Sequence, residues 1–339
     1  MGDNCLFYWR KENKLEGLLT IHVDDYLSAG TEIFQKDIIL KLRQKYKFRK
    51  ILKNNFKYTG LHVEQDYKQS NIYVNQNEFI QSLHIFSYQD RDNDDGLNKN
   101  ENKLLRKSVG QLNWASSQTR PDLAFDTFSL STCLNKSKIK HTKYANKVIE
   151  QAKKRAIELK FQKLGRFEDL HIELYADASL GNVEADSFTK SMMGYFIVIS
   201  NKKGYFNPIH WKSKIIDKVA EDIKTTETLA LDCALDDSIY LSRIFTELYY
   251  GDYKLYNMPI KVNEDSKSLV DTLFSTKKVK RKTMRIIISS IQQYINRGII
   301  SDVKHVTSRH QLADAFTKKG AFYEPLLKVL KEGKIGVNL

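Results

Sequence analysis

Cysteine is scarce: three residues, Cys5, Cys133 and Cys233, in a chain of 339. They stand far apart and no two form a Cys-x-x-Cys pair, which excludes a disulfide framework and predicts a reducing compartment. Long apolar runs are missing as well. No stretch approaches the roughly 18–20 residues that a membrane span needs, so no membrane partner is expected. The first residues carry no apolar signal core, and Leu6 stands where a myristoylation signal after Gly2 wants a small hydroxyl residue. There is no Gly-x4-Gly-Lys phosphate loop and no His-Glu-x-x-His helix. His305 and His310 have no companions at zinc spacing, and the lone Ser, Cys and His residues form no triad pattern.

What is present is an ordinary globular balance, 41% hydrophobic and 28% charged, which excludes wholesale disorder. At roughly 150 residues per domain the length predicts about two domains. Lys and Arg number 55 against 41 Asp and Glu, a net charge of +14. The reading is a soluble, basic, intracellular protein with a polyanionic partner, nucleic acid being the commonest.

The chain divides by pattern. Leu18, Leu19, Ile21 and Val23 make a short apolar strand, Asp24-Asp25 follow, and Gly30 closes a loop. Residues 34–48 have helical spacing. Strands are predicted over 56–63 and 71–74. Residues 89–103 are polar and acidic and read as a linker. From 104 to about 165 the pattern is helical, with Thr119-Arg120-Pro121-Asp122 as a helix start. From 167 the rhythm changes: strands over 171–178, 192–200 and 205–212, a long helix over 219–250, a strand over 259–265, helices over 266–274 and 281–296, a strand over 299–306 and a short helix over 311–318. Three hairpin-linked strands followed by alternating units predict an α/β fold, a mixed sheet with helices on its faces.

Four carboxylates stand out in the second half. Asp177 ends the run HIELYAD, where alternation turns it away from the Ile172/Leu174/Ala176 face. Glu227 falls inside the apolar stripe of the long helix, with Ala220, Ile223, Ala230, Ala234 and Leu241. An unpaired carboxylate there needs a proton, a cation or a metal; the alternative is a Glu at the stripe's edge that reaches solvent. Asp265 ends the strand PIKVNED and Asp314 opens the last helix. Each Asp alone fits a strand end or a first helical turn. Together, on a strand, a helix, a strand end and a final helix, the four can converge at one end of a sheet. Divalent cations relieve the mutual repulsion, hard Mg²⁺ prefers carboxylate oxygens, and two ions about 3.5–4 Å apart suit phosphodiester hydrolysis.

These residues carry a resemblance. Tyr175-Ala176-Asp177-Ala178, Thr189-Lys190-Ser191 with Gly194-Tyr195, His210-Trp211-Lys212-Ser213-Lys214, Thr226-Glu227, Asp265-Ser266 and the run from Gln311 to Lys318 occur in one order over about 150 residues. That order resembles the ribonuclease H domain of copia-type LTR retrotransposon Pol polyproteins. Val23-Asp24-Asp25 with Ala29-Gly30, Tyr58-Thr59-Gly60-Leu61, Ser108 to Leu112 and Thr119 to Asp122 are similar to the end of the same family's reverse transcriptase. The resemblance implies a reverse transcriptase palm remnant over 1–88, the linker over 89–103, a helical thumb- or connection-like segment over 104–166, and a ribonuclease H-like five-stranded mixed sheet over 167–339 with a C-terminal tail. Asp177, Glu227, Asp265 and Asp314 would be the metal ligands, with two Mg²⁺ ions, or Mn²⁺ in their place, and an RNA–DNA hybrid as substrate. Asp24 and Asp25 would be two of three polymerase carboxylates. The third belongs to an upstream strand that this chain does not contain, so no autonomous polymerase is expected. The family places such a chain in the cytoplasm, within a virus-like particle, or in the nucleus, and other Pol fragments would be its protein partners.

Three positions depart from the family: His22 for an aromatic, Leu229 for a second Glu after Thr226-Glu227, and Ser266 for Asn. They leave open a nucleic-acid-binding remnant that does not cleave, or a polymerase part completed by the missing portion. An integrase-like nuclease would order its acids Asp, Asp, Glu; here Glu comes second. In related nucleases a histidine near His305 and His310 helps product release, and a plain loop histidine is the alternative.

Residues 277–285 read KKVKRKTMR. Lys277, Lys278, Lys280, Arg281, Lys282 and Arg285 make either a solvated helix start or a phosphate handle beside the carboxylates. Trp211 and Lys212 are candidates for a nucleic-acid backbone, although Trp211 equally suits a core.

Overall fold

The computed structural model describes residues 4–336 except 49, 90, 186–187, 219, 221, 278 and 321–322, with side chains undescribed over 182–189. Strands β1 (Leu6–Lys11), β2 (Lys14–His22) and β3 (Asp25–Gly30) form an antiparallel sheet. Val23 is not in the expected strand. His22 pairs with Asp25, so Val23 and Asp24 make the turn, with Val23 at φ 54° and exposed. Asp25–Gly30 is correspondingly a strand rather than a loop. The helical stretch that follows comprises α1 (Glu32–Phe34), a wide π turn (Gln35–Ile39) and α2 (Leu40–Lys45).

The strand expected over 56–63 is two strands, β4 (Asn55–Tyr58) and β5 (Leu61–Asp66). Thr59 (φ 48°) and Gly60 (φ 82°) fold one against the other, a left-handed turn that alternation alone does not reveal. With β6 (Asn71–Asn75) and β7 (Leu159–Gln162) they make a four-stranded antiparallel sheet. β7 lies inside the stretch expected to be helical; its partner β6 is more than 80 residues upstream. Between them come α3 (Asn77–Ser82), α4 (Lys99–Gln118), α5 (Ala124–Thr132) and α6 (Ile139–Lys154), packed around Leu105, Leu112, Leu130, Ala145 and Ile149. α4 starts within the expected linker because Asn98 and Glu101 form a reciprocal cap. Asp94 accepts from Lys138 and Lys140 at 3.0 and 2.9 Å, which ties the preceding loop to α6.

The second half has the α/β fold expected of it. β8 (Leu170–Ala185), β9 (Phe188–Asn201) and β10 (Phe206–Ile215) are antiparallel; β11 (Ile260–Glu264) and β12 (Ile300–His305) add in parallel, in the order β10-β9-β8-β11-β12. The helix α7 (Ile223–Tyr250) crosses from β10 to β11; α8 (Lys267–Leu273) and α9 (Lys282–Asn296) cross from β11 to β12. Ile172, Leu174, Ala176, Ile260 and Val262 pack on one face against Leu231, Ala234 and Leu235 of α7 and Ile288 and Ile291 of α9. Tyr175, Phe196, Val198 and Phe206 occupy the other face, covered by Leu312, Phe316 and α10 (Glu324–Glu332). That last helix stands in the segment expected to be a tail. Full burial of each large apolar side chain contributes about 1.5–3 kcal/mol, and the two-sided cover buries both faces.

Side chains join the two halves. Asn207 of β10 accepts from the Gln162 backbone N–H at 2.8 Å and donates to the Gln162 carbonyl at 3.0 Å, extending the four-stranded sheet by one side-chain amide.

Candidate metal centre

Strand register brings the first two acids level. Asn263 of β11 pairs with Tyr175 of β8, so two residues on, just past the carboxyl end of β11, Asp265 stands beside Asp177. Asp177 does not end its strand as expected but lies inside β8, which runs on to Ala185. Asp265 is the first residue past β11, and its Oδ2 accepts from the Ser308 hydroxyl at 3.3 Å. Asp177 is 2% exposed, and accepts from the Thr317 hydroxyl.

Asp314 lies in a 3-10 turn, Leu312–Phe316. Gln311 caps that turn by accepting from the Ala313 N–H at 3.2 Å, and its amide nitrogen donates 2.8 Å to the Ala176 carbonyl. Below the turn lies Gly194, the partner of Asp177 on β9. A Cβ there would stand 2.4 Å from Cβ of Phe316, so only glycine lets the turn settle onto the sheet. The result is one oxygen from each of Asp177, Asp265 and Asp314, all within 4.8 Å of one another. Among the described residues this is the one group of three acidic, His or Cys side chains so placed.

Glu227 enters from α7, whose first turn is capped by Asp222 accepting from the Thr225 N–H at 2.7 Å. It is buried, and its Oε2 has no hydrogen-bond partner among the described residues. The expected stripe is real at Ala230 and Ala234, which are buried, whereas Ile223 is exposed. Glu227 lies outside the 4.8 Å group, although Asp177 and Asp265 act on it electrostatically.

A fifth carboxylate escaped the sequence pattern. Glu264 continues the inward alternation of Ile260 and Val262 and is fully buried. Its Oε1 accepts from the Ser266 N–H at 3.1 Å, and its Oε2 has no partner among the described residues. An acid at the third inward position of an apolar strand is the signal that could have found it. Lys318 is the opposing charge: its Nζ is 2.7 Å from Asp314 Oδ1 and 3.6 Å from Asp177 Oδ2.

The energetics follow from burial. Burial pushes the Asp177 carboxyl up to about 7; Lys318 opposes this and the Asp314 charge adds to it. Burial, then the charges of Asp177 and Glu264, push Glu227 up to about 10. Burial holds Glu264 well above the usual range. Burial alone would lower Lys318, but Asp177 and Asp314 outweigh it and raise it. Five carboxylates face one ammonium, two of them with orphaned buried oxygens, and every donor is a hard oxygen. That donor set fits a divalent cation of the Mg²⁺ kind.

The other candidates are dispersed. Asp24 and Asp25 are exposed at the β2–β3 turn, and no third ligand group joins them among the described residues. Trp211, a candidate for nucleic acid, is instead interior: it is buried and donates its indole N–H to the Ser116 carbonyl at 2.6 Å, closing the joint between β10 and α4. Lys212, the next residue, alternates outward and is exposed. Lys277, Lys280, Lys282 and Arg285 are exposed before and within the first turn of α9, with Arg281 half-buried; Lys278 lies outside the described residues. Arg285 donates to the carbonyls of Val279 and Lys280 at 2.9 and 3.3 Å, so its guanidinium braces its own loop. His305 and His310 are exposed; His305 Nε2 is 3.0 Å from the Asp265 carbonyl, and His310 Nδ1 2.7 Å from the Thr307 hydroxyl.

No protein-family model matches this chain, and no curated protein matches it. Solved structures do. LC11-RNase H1, isolated from compost by a metagenomic approach and solved in complex with an RNA/DNA hybrid, matches 43% of this chain and 93% of its own, at 23% identity and a TM-score of 0.32. RNase H1 from the halophilic archaeon Halobacterium salinarum matches 46% of this chain and 97% of its own, at 15% identity and a TM-score of 0.31. The protease–reverse transcriptase of prototype foamy virus matches 52% of this chain and 22% of its own, at 16% identity and a TM-score of 0.30. At these identities the likeness concerns the fold alone.

Proposed function

We propose that residues 167–339 form a ribonuclease H that hydrolyses the RNA strand of RNA–DNA hybrids, within a copia-type Pol fragment whose first part is the end of a reverse transcriptase. The observation that carries this reading is the convergence of Asp177, Asp265 and Asp314 within 4.8 Å, with buried Glu227 beside them. The in-order motifs of the sequence supply the family.

Bound among these carboxylates, two Mg²⁺ ions, or Mn²⁺ in their place, would activate a water and stabilise the leaving oxygen of the phosphodiester. Asp177 and Asp265, side by side on neighbouring strands, would hold the ions. Glu227 would hold an ion from the α7 side and orient the attacking water. Asp314, on a turn fixed by Gln311, would complete the ligand set. The exposed residues Lys277, Lys280 and Lys282 offer a handle for backbone phosphates. Selection of RNA rests on the 2′-OH and on the shape of the hybrid groove. Asp24 and Asp25 take no part in this chemistry.

Incubating the protein with a labelled RNA–DNA hybrid and Mg²⁺ tests the reading. Wild type should cut the RNA strand. Asp177→Asn and Glu227→Gln should lose more than the roughly 10–100-fold that loss of a ligand's outer-shell partner costs. A wild type that binds the hybrid but cuts no faster than these variants removes the enzyme and leaves the non-cleaving nucleic-acid binder.

A further inference from the structure

We propose that Lys318 is an internal counter-ion of the carboxylate cluster, whose ammonium occupies the Asp177–Asp314 side of the site and has to leave when a divalent ion binds there. The inference rests on the metal-dependent reading above and adds a positioning residue to it.

The geometry is that of an occupant rather than a surface partner. Lys318 Nζ touches Asp314 Oδ1 at 2.7 Å and reaches Asp177 Oδ2 at 3.6 Å. It therefore contacts two of the three carboxylates that make the cluster. Its root is held from the preceding residue. Thr317 is fully buried, its hydroxyl donates to Asp177 Oδ2, and its carbonyl accepts from the Ser179 hydroxyl at 2.9 Å. Because Lys318 follows Thr317 directly, the ammonium is delivered to the same carboxylate. The side chain of Lys318 is 42% exposed against 2% for Asp177, so the lysine reaches in from solvent and has an open way out.

A lysine suits this task. Its ammonium is a compact charge on a flexible stem, strongly hydrated, able to stand in for a cation and to return to water. An ammonium and a divalent ion on the same two oxygens repel one another, so the ion must first displace the lysine. The cluster is thereby held together without metal, at the cost of weaker ion binding. Once displaced, the ammonium stays at the mouth of the site, where a backbone phosphate can take it.

The test is Mn²⁺ binding without nucleic acid, followed by the decline of the free-ion EPR signal, on wild type, Lys318→Gln and Lys318→Arg. Lys318→Gln should bind Mn²⁺ about tenfold more tightly, the equivalent of one charge-assisted hydrogen bond that no longer has to be broken. Lys318→Arg, which keeps the charge, should stay close to wild type. Thermal melting supplies a second readout: without metal Lys318→Gln should melt below wild type, and saturating Mn²⁺ should close the gap. Equal or weaker Mn²⁺ binding by Lys318→Gln, with wild type binding normally, overturns the counter-ion and leaves the nuclease reading intact. Failure of all three proteins to bind Mn²⁺ overturns both.

Discussion

The side-chain amide of Gln311 donates 2.8 Å to the carbonyl of Ala176, linking the residue before Asp177 to the residue three before Asp314. Two acids 137 positions apart in the chain are thus aligned by a group that ligates nothing. Gln311→Ala should therefore weaken Mn²⁺ binding although all five carboxylates remain. It should also destabilise the fold by about 1–3 kcal/mol, since the Ala176 carbonyl loses its side-chain partner in the interior. Urea denaturation beside a Mn²⁺ titration reads both; unchanged metal affinity in a correctly folded variant contradicts the alignment role.

Gly194 should tolerate no side chain. In Gly194→Ala the new methyl meets Phe316 Cβ at 2.4 Å and its backbone carbon at 3.0 Å, atoms that no rotamer change can move. The turn bearing Asp314 has to lift. A drop of about 1–3 kcal/mol in stability and a fall in hybrid cleavage are expected. Phe316→Ala should not rescue it, because the clash is with Cβ, which alanine keeps. Rescue by Phe316→Ala in a cleavage assay would place the conflict at the ring instead.

The metal-free site should weaken the fold as pH rises. Burial and neighbouring carboxylates push Glu227 up to about 10, and burial above all pushes Asp177 up to about 7. Unfolded, both ionise near pH 4. The folded chain then holds protons that the unfolded chain has released. The contribution to stability is full below about pH 4 and disappears as pH rises through 7 and towards 10. Glu227→Gln should therefore melt higher than wild type at pH 8 without metal, with the difference shrinking towards pH 4. Mg²⁺ at pH 8 should stabilise wild type more than the variant. A difference in melting temperature that stays constant from pH 4 to 8 contradicts the assignment.

Trp211 and the lysines before and at the start of α9 should separate cleanly. Trp211→Ala empties the joint with Ser116 and should cost about 3–5 kcal/mol, while hybrid affinity measured below its melting temperature stays the same. Lys280→Ala with Lys282→Ala should leave the melting temperature unchanged. The pair should lower hybrid affinity and reduce the slope of log affinity against log salt by about 0.7–0.9 for each phosphate that the protein no longer neutralises. An unchanged slope would remove the handle.

Much of this molecule was legible in the residues themselves. Alternation in HIELYAD turned Asp177 from the apolar face, helical spacing put Glu227 in a buried stripe, and the order of strands and helices specified a mixed sheet, because these signals are local and repeat every two or 3.6 residues. Other features needed the folded chain. β7 became a strand by pairing with β6 across more than 80 residues, and Val23 became a turn because His22 pairs with Asp25. Trp211 was buried by a carbonyl of α4, and Lys318 met Asp177 only because Gly194 lets the Asp314 turn reach the sheet. Residue order alone sets which side chains carry charge and which face of each element they take. Packing between distant segments decides which charges meet, since burial and the distance between oxygens depend on neighbours that no local period records.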